Sequence, residues 1–210
     1  MSWIIIIGVF ILAAGPLFYL MPTAKDKRLT ALRMNARQLG FTIQVDSLLK
    51  LDPTADERVT AGGQARSKRT ECMRYQLAMG QTLDHIPPIT LQRLPATTTV
   101  PITTVVQGWG LPTEAANNAR QAESHLKNVE AWQQQGQLLE AMRSLLLELP
   151  EDVLGLAIDS RCIGVFWLER SGRKNTSEAV PETFIEPLNI IHTTLQEVIE
   201  IIKSHPLEAD

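Results

Sequence analysis

The N-terminal stretch constrains this chain most, because residues 2–24 carry no charged side chain. Residues 3–21 read WIIIIGVFILAAGPLFYLM, close to the ~20 apolar residues that a helix needs to cross the hydrocarbon core of a bilayer. Trp3 and Tyr19 lie near the two ends, where interfacial aromatic rings belong, and Phe10 lies between them. Pro16 is tolerated in membrane spans, where neighbouring groups satisfy the freed backbone.

Two other interpretations of this run are a buried core helix and a cleaved signal peptide. The composition and the N-terminal position disfavour a core helix. A signal peptide would have a basic n-region and a small-residue cleavage site, and neither pattern precedes the charged residues after Pro22. We therefore predict an uncleaved transmembrane anchor over residues 1–22.

The orientation of the anchor follows from the basic residues near its ends, since cytoplasmic flanks carry the excess of Lys and Arg. None precedes the span; after it come Lys25, Lys27, Arg28, Arg33 and Arg37. The sequence predicts an inner (plasma) membrane protein with its N-terminus outside and its C-terminal domain in the cytoplasm. Two isolated cysteines, Cys72 and Cys162, suit a reducing compartment.

Charge is divided unevenly behind the anchor. Residues 23–74 hold 11 Lys+Arg against 6 Asp+Glu, whereas residues 75–210 hold 9 against 17, so net charges of +5 and −8 give the overall −3. Anionic lipid headgroups would attract the basic part by about 1 kcal/mol per nearby Lys or Arg. Nucleic-acid binding is not expected, because no aromatic side chains interleave with the basic ones as in base-stacking surfaces.

The first elements of the body follow from capping signals and apolar periodicity. Thr23 as N-cap and Gly40 as stop predict an amphipathic helix over residues 23–40, lying either on the lipid surface or against the domain. Alternation in residues 41–45 and 73–77 predicts two strands, and the polar residues 52–71 between them predict a hairpin with a long loop.

The rest of the chain predicts further strands and helices. Residues 89–94 and 102–107 are candidate strands that nearby prolines would confine to edges or loop, and residues 87–112 are the candidate internal linker, although their aliphatic content favours packed structure. A helical block runs from Thr113 to Pro150, either kinked or broken near Gln135. Residues 153–170 predict a buried hairpin. A final helix begins near Thr183, with Pro187 in its first turn.

Together these patterns predict an α+β fold: one N-terminal transmembrane helix, then a soluble cytoplasmic domain of short, mostly antiparallel strands packed by helices. The predicted organisation is an anchor (1–22), a basic juxtamembrane helix (23–40) and the α+β domain (41–210).

Local sequence motifs for chemistry are lacking. The four histidines are not spaced as metal ligands, no G-x-S-x-G elbow surrounds a serine, and Gly62-Gly63 matches no nucleotide-binding loop. We therefore expect no catalytic residues, no metal, no cofactor and no small-molecule substrate. Arg66, Lys68 and Arg69 in the hairpin loop are a candidate contact with lipid or with an acidic partner, or else a solvated loop. Trp109 is a candidate partner contact if it is exposed, although core packing is its favoured role.

One resemblance emerges over residues 10–63. The segment FYLMPTAKDKR and the later DERVTAGG, with Asp56, Glu57, Val59, Thr60 and Gly62-Gly63, resemble YajC, a small single-pass accessory subunit of the bacterial Sec translocase. The family motif is D-E-V-x-T-x-G-G. This chain departs from it by an extra strand before the motif, by the polar QARSKRTE after it, and by more than 130 further residues.

The resemblance implies a bacterial protein and an accessory role in protein translocation. The residues themselves favour a non-enzymatic, membrane-anchored interaction, scaffold or assembly protein. An enzyme whose site is assembled from residues distant in sequence is the remaining alternative, because such a site leaves no local motif.

Overall fold

The computed structural model describes residue 3 and residues 23–59, 62–64, 68–83, 86–112, 119–170 and 182–204. These contain four long helices and seven strands: α1 (Ala24–Gln38), β1 (Thr42–Leu49), β2 (Arg69–Ala78), β3 (Ile89–Arg93), β4 (Ile102–Val106), β5 (Trp109–Pro112), α2 (Ala119–Gln134), α3 (Gly136–Glu148), β6 (Val153–Ile158), β7 (Cys162–Trp167) and α4 (Glu182–Ser204).

The seven strands form one sheet in the order β1-β2-β7-β6-β3-β5-β4, and every neighbouring pair is antiparallel. The α+β class and the antiparallel strands are therefore as predicted. Among the described residues, no helix combines the length and the apolar character that crossing a bilayer requires. The predicted span lies outside the described residues except for Trp3, which is exposed.

Helix α1 begins and ends where the sequence predicts. Thr23 and Asp26 form a capping box, each side chain accepting a hydrogen bond from the backbone N–H of the other. Gly40 has φ +88°, a left-handed conformation that glycine adopts at little cost. Leu32 and Ala36 are buried in the main core, so the helix is part of the domain.

The predicted hairpin of β1 and β2 is present, but β1 is longer than the alternation in residues 41–45 indicates. Phe41 is buried against Tyr75 of β2 and His192 of α4, and Ile43 packs on the same core. Val45, on the same side of the strand, is 76% exposed. The helical layer thus covers the start of β1 and not its middle.

The proline-flanked segment is built into the sheet. We predicted residues 89–94 as an edge strand or loop, and this was wrong: β3 is internal, between β6 and β5. Pro87, Pro88 and Pro95 lie just outside the paired residues, so they remove no hydrogen bond from the ladder. Strand β4 does lie at the edge, as expected. Residues 89–112 supply three strands, the third being β5, which the sequence did not reveal.

The long helical block is broken at Gln135, which separates α2 from α3. This is the break that the polar run before Gly136 predicts. Thr113, the predicted N-cap of the helical block, lies outside the described residues. The β6–β7 hairpin is present as predicted. Helix α4 begins at Glu182, so Pro187 is inside the helix but beyond its first turn.

The helices and one face of the sheet enclose the main core. Large side chains such as Tyr75, Trp109 and Trp167 meet the apolar faces of α3 and α4 there. The opposite face carries a much smaller apolar cluster of Leu48, Cys72, Ala157 and Phe166. No described helix contributes to that cluster, so the two faces of the sheet are differently built.

The sheet curls towards its second face. A Cβ atom placed on Gly155 of β6 would lie 2.9 Å from Cδ1 of Leu48, although three strand spacings separate β1 from β6 in the sheet. Beyond β1, the amide of Thr99 donates to the carbonyl of Leu51 at 3.0 Å, which joins the connection after β3 to the end of β1. The face away from the helices is consequently concave.

This close approach predicts that Gly155→Ala destabilises the fold. Its Cβ would lie 2.9 Å from the backbone oxygen of Leu91 and 3.2 Å from the Phe166 ring, so the free energy of unfolding should fall by about 1–3 kcal/mol. Gly136→Ala is the matched control, because nothing lies within 4 Å of its Cβ and stability should be unchanged or slightly higher. Denaturant unfolding of the full chain in detergent measures both, and equal stability of the two variants would contradict the close packing.

Candidate functional site

Helix α1 is joined to the end of β7 by an ion pair between Arg33 and Glu169. Arg33 Nε donates to Glu169 Oε1 at 2.9 Å and its terminal nitrogen donates to Oε2 at 2.7 Å, a bidentate geometry. The Glu169 side chain is only 6% exposed, whereas that of Arg33 is 35% exposed. The carboxylate is thus withdrawn from water, and a cation from the basic helix compensates its charge.

Tyr75 of β2 completes this arrangement. Its hydroxyl donates to Glu169 Oε1 at 2.7 Å, and its ring packs edge-on against Phe41 and Trp167. Burial, followed by the hydrogen bond to Glu169, raises the pKa of Tyr75 well above its usual value. The bond to Glu169 raises the pKa of Arg33 in turn. Glu169 holds this position with φ +53°, an uncommon conformation for a residue with a side chain.

The remaining basic residues of α1 are exposed. Lys25, Lys27, Arg28 and Arg37 are accessible to solvent, whereas Arg33, predicted with them as a membrane-surface residue, is directed to Glu169. Leu32 and Ala36 are buried and Leu39 packs against the core, so the apolar stripe of α1 faces the domain. Of the two placements that the sequence left open for this stripe, the structure has the one on the domain.

The second basic cluster lies at the base of the β1–β2 loop. Arg69, at the start of β2, donates from Nε to Ser47 Oγ at 2.9 Å and from its terminal nitrogen to the Ser47 carbonyl at 2.5 Å. Lys68 is half-buried, and its carbonyl accepts from the Lys50 amide. Arg66 lies outside the described residues. Arg69 thus holds the hairpin end together while remaining exposed.

The DERVTAGG segment occupies the same loop. Glu57 accepts from Lys50 Nζ at 2.8 Å and from the Thr54 amide at 3.1 Å, and both contacts lower its pKa. Val59 is exposed, Gly63 has φ +77°, and Thr60 lies outside the described residues. The described part of the motif is therefore on the surface.

Trp109 is not a surface anchor. It is 1% exposed, packs in the main core, and lies under the guanidinium of Arg93, 5.0 Å from the ring centroid. The expectation of a partner contact at Trp109 is therefore corrected to the core-packing role. Of its flanking glycines, Gly108 belongs to a turn with φ +80°, and Gly110 belongs to β5, where close neighbours leave no room for a Cβ atom. Arg93 also donates to the Leu149 carbonyl at 2.9 Å, and burial lowers its pKa.

Metal-binding geometry is not found in the described part of the chain, where no three His, Cys, Asp or Glu side chains converge. The ring of His192 packs on Phe41 at 5.6 Å, a structural role. Both cysteines are unpaired thiols, and burial raises the pKa of Cys72 to about 11, which suppresses the reactive thiolate.

Two grooves lie on opposite sides of the domain. One, of about 480 Å³, lies between the end of α3 and the first half of α4 and includes Asn189 and Ile190. The other, of about 390 Å³, lies on the concave face of the sheet. None of the described residues that line them is a histidine or a cysteine.

Sequence reasoning identified the basic helix but not its partners. Glu169 and Tyr75 are separated from Arg33 by 136 and 42 positions, and neither stands in a recognisable motif. The only available signal was a charged residue directly after the apolar β7 run.

Comparison with known proteins adds no relative: no family model, no curated protein and no solved structure matches this chain.

The ion pair predicts a selective effect of Arg33→Ala. It would leave the withdrawn Glu169 carboxylate without its cation, and we expect the free energy of unfolding to fall by about 2–3 kcal/mol, less than for a fully buried pair because Arg33 is partly exposed. Arg37→Ala, on an exposed position of the same helix, should change it by under about 0.5 kcal/mol. Denaturant unfolding of the full chain in detergent is the measurement.

A second substitution tests the pairing itself. The double variant Arg33→Ala/Glu169→Gln should lower the free energy of unfolding by less than the sum of the two single variants, because it leaves no unpaired carboxylate at position 169. Additive effects, or an Arg33→Ala loss no larger than that of Arg37→Ala, would show that the pair does not hold α1 in place.

Proposed function

We propose that this protein is a single-pass, membrane-anchored interaction or assembly protein whose cytoplasmic domain is held close to the bilayer by a docked basic helix. The observation that carries the proposal is the bidentate Arg33–Glu169 pair. It joins the helix next to the anchor directly to the folded domain. If α1 were a flexible linker, it would not form a fixed contact of this kind with the domain.

The anchor rests on the uncharged residues 3–21, and the orientation rests on the basic residues that follow. Helix α1 begins at Ala24, and its first half-buried residue is Leu29. Five helical residues correspond to about 8 Å, so the body of the domain would begin within about 8 Å of the start of α1 along the helix axis. The domain is then a neighbour of the headgroups.

Lys25, Lys27 and Arg28 lie in that first part of α1 and are exposed, with Arg37 further along. Each basic side chain close to an anionic leaflet contributes about 1 kcal/mol of attraction. The mechanism is tethering: confinement at one surface raises the effective concentration of a membrane partner without a strong new contact. The Arg33–Glu169 pair adds a restricted orientation to that confinement.

The topology is directly testable with reporter fusions at the C-terminus. We expect activity from a cytoplasmic reporter and none from a periplasmic one, because the Lys and Arg residues follow the span. Replacing Lys25, Lys27 and Arg28 by Gln should increase the fraction with inverted topology. A periplasmic C-terminus in the unmodified protein would overturn the orientation and, with it, the placement of the domain.

A second candidate, an accessory factor of protein translocation, rests on the DERVTAGG segment and on the surface position of Glu57, Val59 and Gly63. One experiment distinguishes this candidate from the general interaction protein. A photo-crosslinker is placed at Val59 or at Met34 on α1, and the crosslinked proteins in native membranes are compared. Crosslinks from Val59 to translocon subunits would favour translocation. Reproducible crosslinks to other membrane proteins would favour the general proposal, and none from either position would contradict both.

A further inference from the structure

The concave face of the sheet carries a row of paired residues that crosses five strands. Strand register places Gln44 opposite Arg74, Arg74 opposite Phe166, Phe166 opposite Gly155 and Gly155 opposite Gln92. Neighbours in a strand face opposite sides, and the neighbouring residues Tyr75, Val165 and Leu91 are in the main core. The row therefore faces away from the helices, and Gln44, Arg74 and Gln92 are its polar members.

The groove of about 390 Å³ lies on this face, between the curled end of the β1–β2 hairpin and β3. Its polar lining includes Asp46, Arg74, Thr90, Gln92 and Asp159. Three lining residues belong to the small apolar cluster: Leu48, Ala157 and Phe166. The volume falls within the ~300–1,000 Å³ typical of ligand sites.

The charged groups of the groove are already engaged within the protein. Arg74 lies 5.4 Å from the centroid of the Phe166 ring and 3.8 Å from Asp46 Oδ2. With the Gln76 amide oriented to satisfy its contacts, its oxygen accepts from Arg74 at 2.9 Å. Asp159 accepts from the Ser160 amide at 2.6 Å. Arg69 and Arg74 are balanced in number by Asp46 and Asp159, so the groove offers little net charge to an ion such as phosphate.

Gln92 is the exception. It is 4% exposed and lines the groove, and no described residue forms a hydrogen bond with its side-chain amide. Its amide nitrogen and oxygen still reach solvent, because among the described residues only Arg93 Nε is a buried side-chain polar atom without a hydrogen bond. Thr90, two residues earlier on β3, lines the same groove. The unused groups are thus neutral, and the Gln92 amide offers one donor end and one acceptor end.

We propose that this groove binds an extended polypeptide segment of a protein partner, with the Gln92 amide bonded to a peptide group of that segment. A peptide group offers the complementary donor and acceptor, and its lack of charge suits a groove whose two positive and two negative side chains balance in number. Apolar side chains of the segment would meet Phe166, Leu48 and Pro112. This inference rests on the proposed interaction function and assigns it a site.

The test is a titration of the full chain in detergent micelles with a capped, uncharged dipeptide amide. The ¹³C-labelled methyl group of Ala157, which lines the groove, is the reporter. We expect a saturable shift of that methyl with the dipeptide amide and no saturable shift with sodium acetate or inorganic phosphate. A response to acetate or phosphate alone, or no saturable response, would overturn the proposal.

Variants locate the binding. Gln92→Leu keeps the side-chain size and should weaken dipeptide binding about tenfold, as expected for one lost buried hydrogen bond. Thr90→Val is a second variant in the groove, and it covers the case in which Gln92→Leu does not fold. Asn189→Leu, in the groove beside α4, should leave binding unchanged. Unchanged binding in both groove variants would show that the dipeptide binds elsewhere.

The two proposals can fail separately. The titration needs no membrane partner and no particular orientation. A periplasmic C-terminus would therefore refute the proposed topology and leave the result of the titration unchanged. Conversely, a groove that does not bind the dipeptide amide would leave the anchored, docked helix intact.

Discussion

The contact between Arg33, Glu169 and Tyr75 joins parts of the chain that are otherwise far apart. A carboxylate withdrawn from water must be paired, and Glu169 takes one partner from α1 and another from β2. The helix that follows the apolar N-terminal stretch is therefore part of the domain and not a spacer. Phe41, directly after that helix, extends the same contact to α4 through His192. The position of α1 thus depends on Glu169, just after β7, and on the C-terminal helix.

The two faces of the sheet have different roles: one packs against the helices, and the other holds the groove. One face is closed by the four helices over a large apolar core, which gives the domain its stability. The other face is curled by the approach of Leu48 to Gly155, and it keeps polar side chains around a groove. Because one face already buries most of the large side chains, the second can retain a polar side chain such as Gln92, which has no hydrogen-bond partner among the described residues. A rigid sheet also holds Gln92 and Thr90 in a fixed relation, as a binding site requires.

Local patterns predicted much of the fold and failed where pairing is non-local. The two hairpins, the capped helix α1 and the break at Gln135 follow from residues close together in the sequence. The internal position of β3 does not, because flanking prolines are compatible with an edge or an interior strand, depending on which residues pair. Strand β5 was missed because glycines on both sides of Trp109 conceal its alternation. Trp109 itself shows that exposure cannot be inferred from loop-like neighbours.

The sequence by itself determined the uncharged N-terminal stretch, the basic residues behind it, the hairpins and the absence of local catalytic motifs. These properties depend on composition and on spacings of a few residues, so they can be recognised without coordinates. Only the tertiary structure decided that Arg33 faces Glu169, that the apolar stripe of α1 packs on the domain, and that Gln92 is buried beside a groove. Each of these depends on side chains that are distant along the chain and meet only when the sheet has formed and curled.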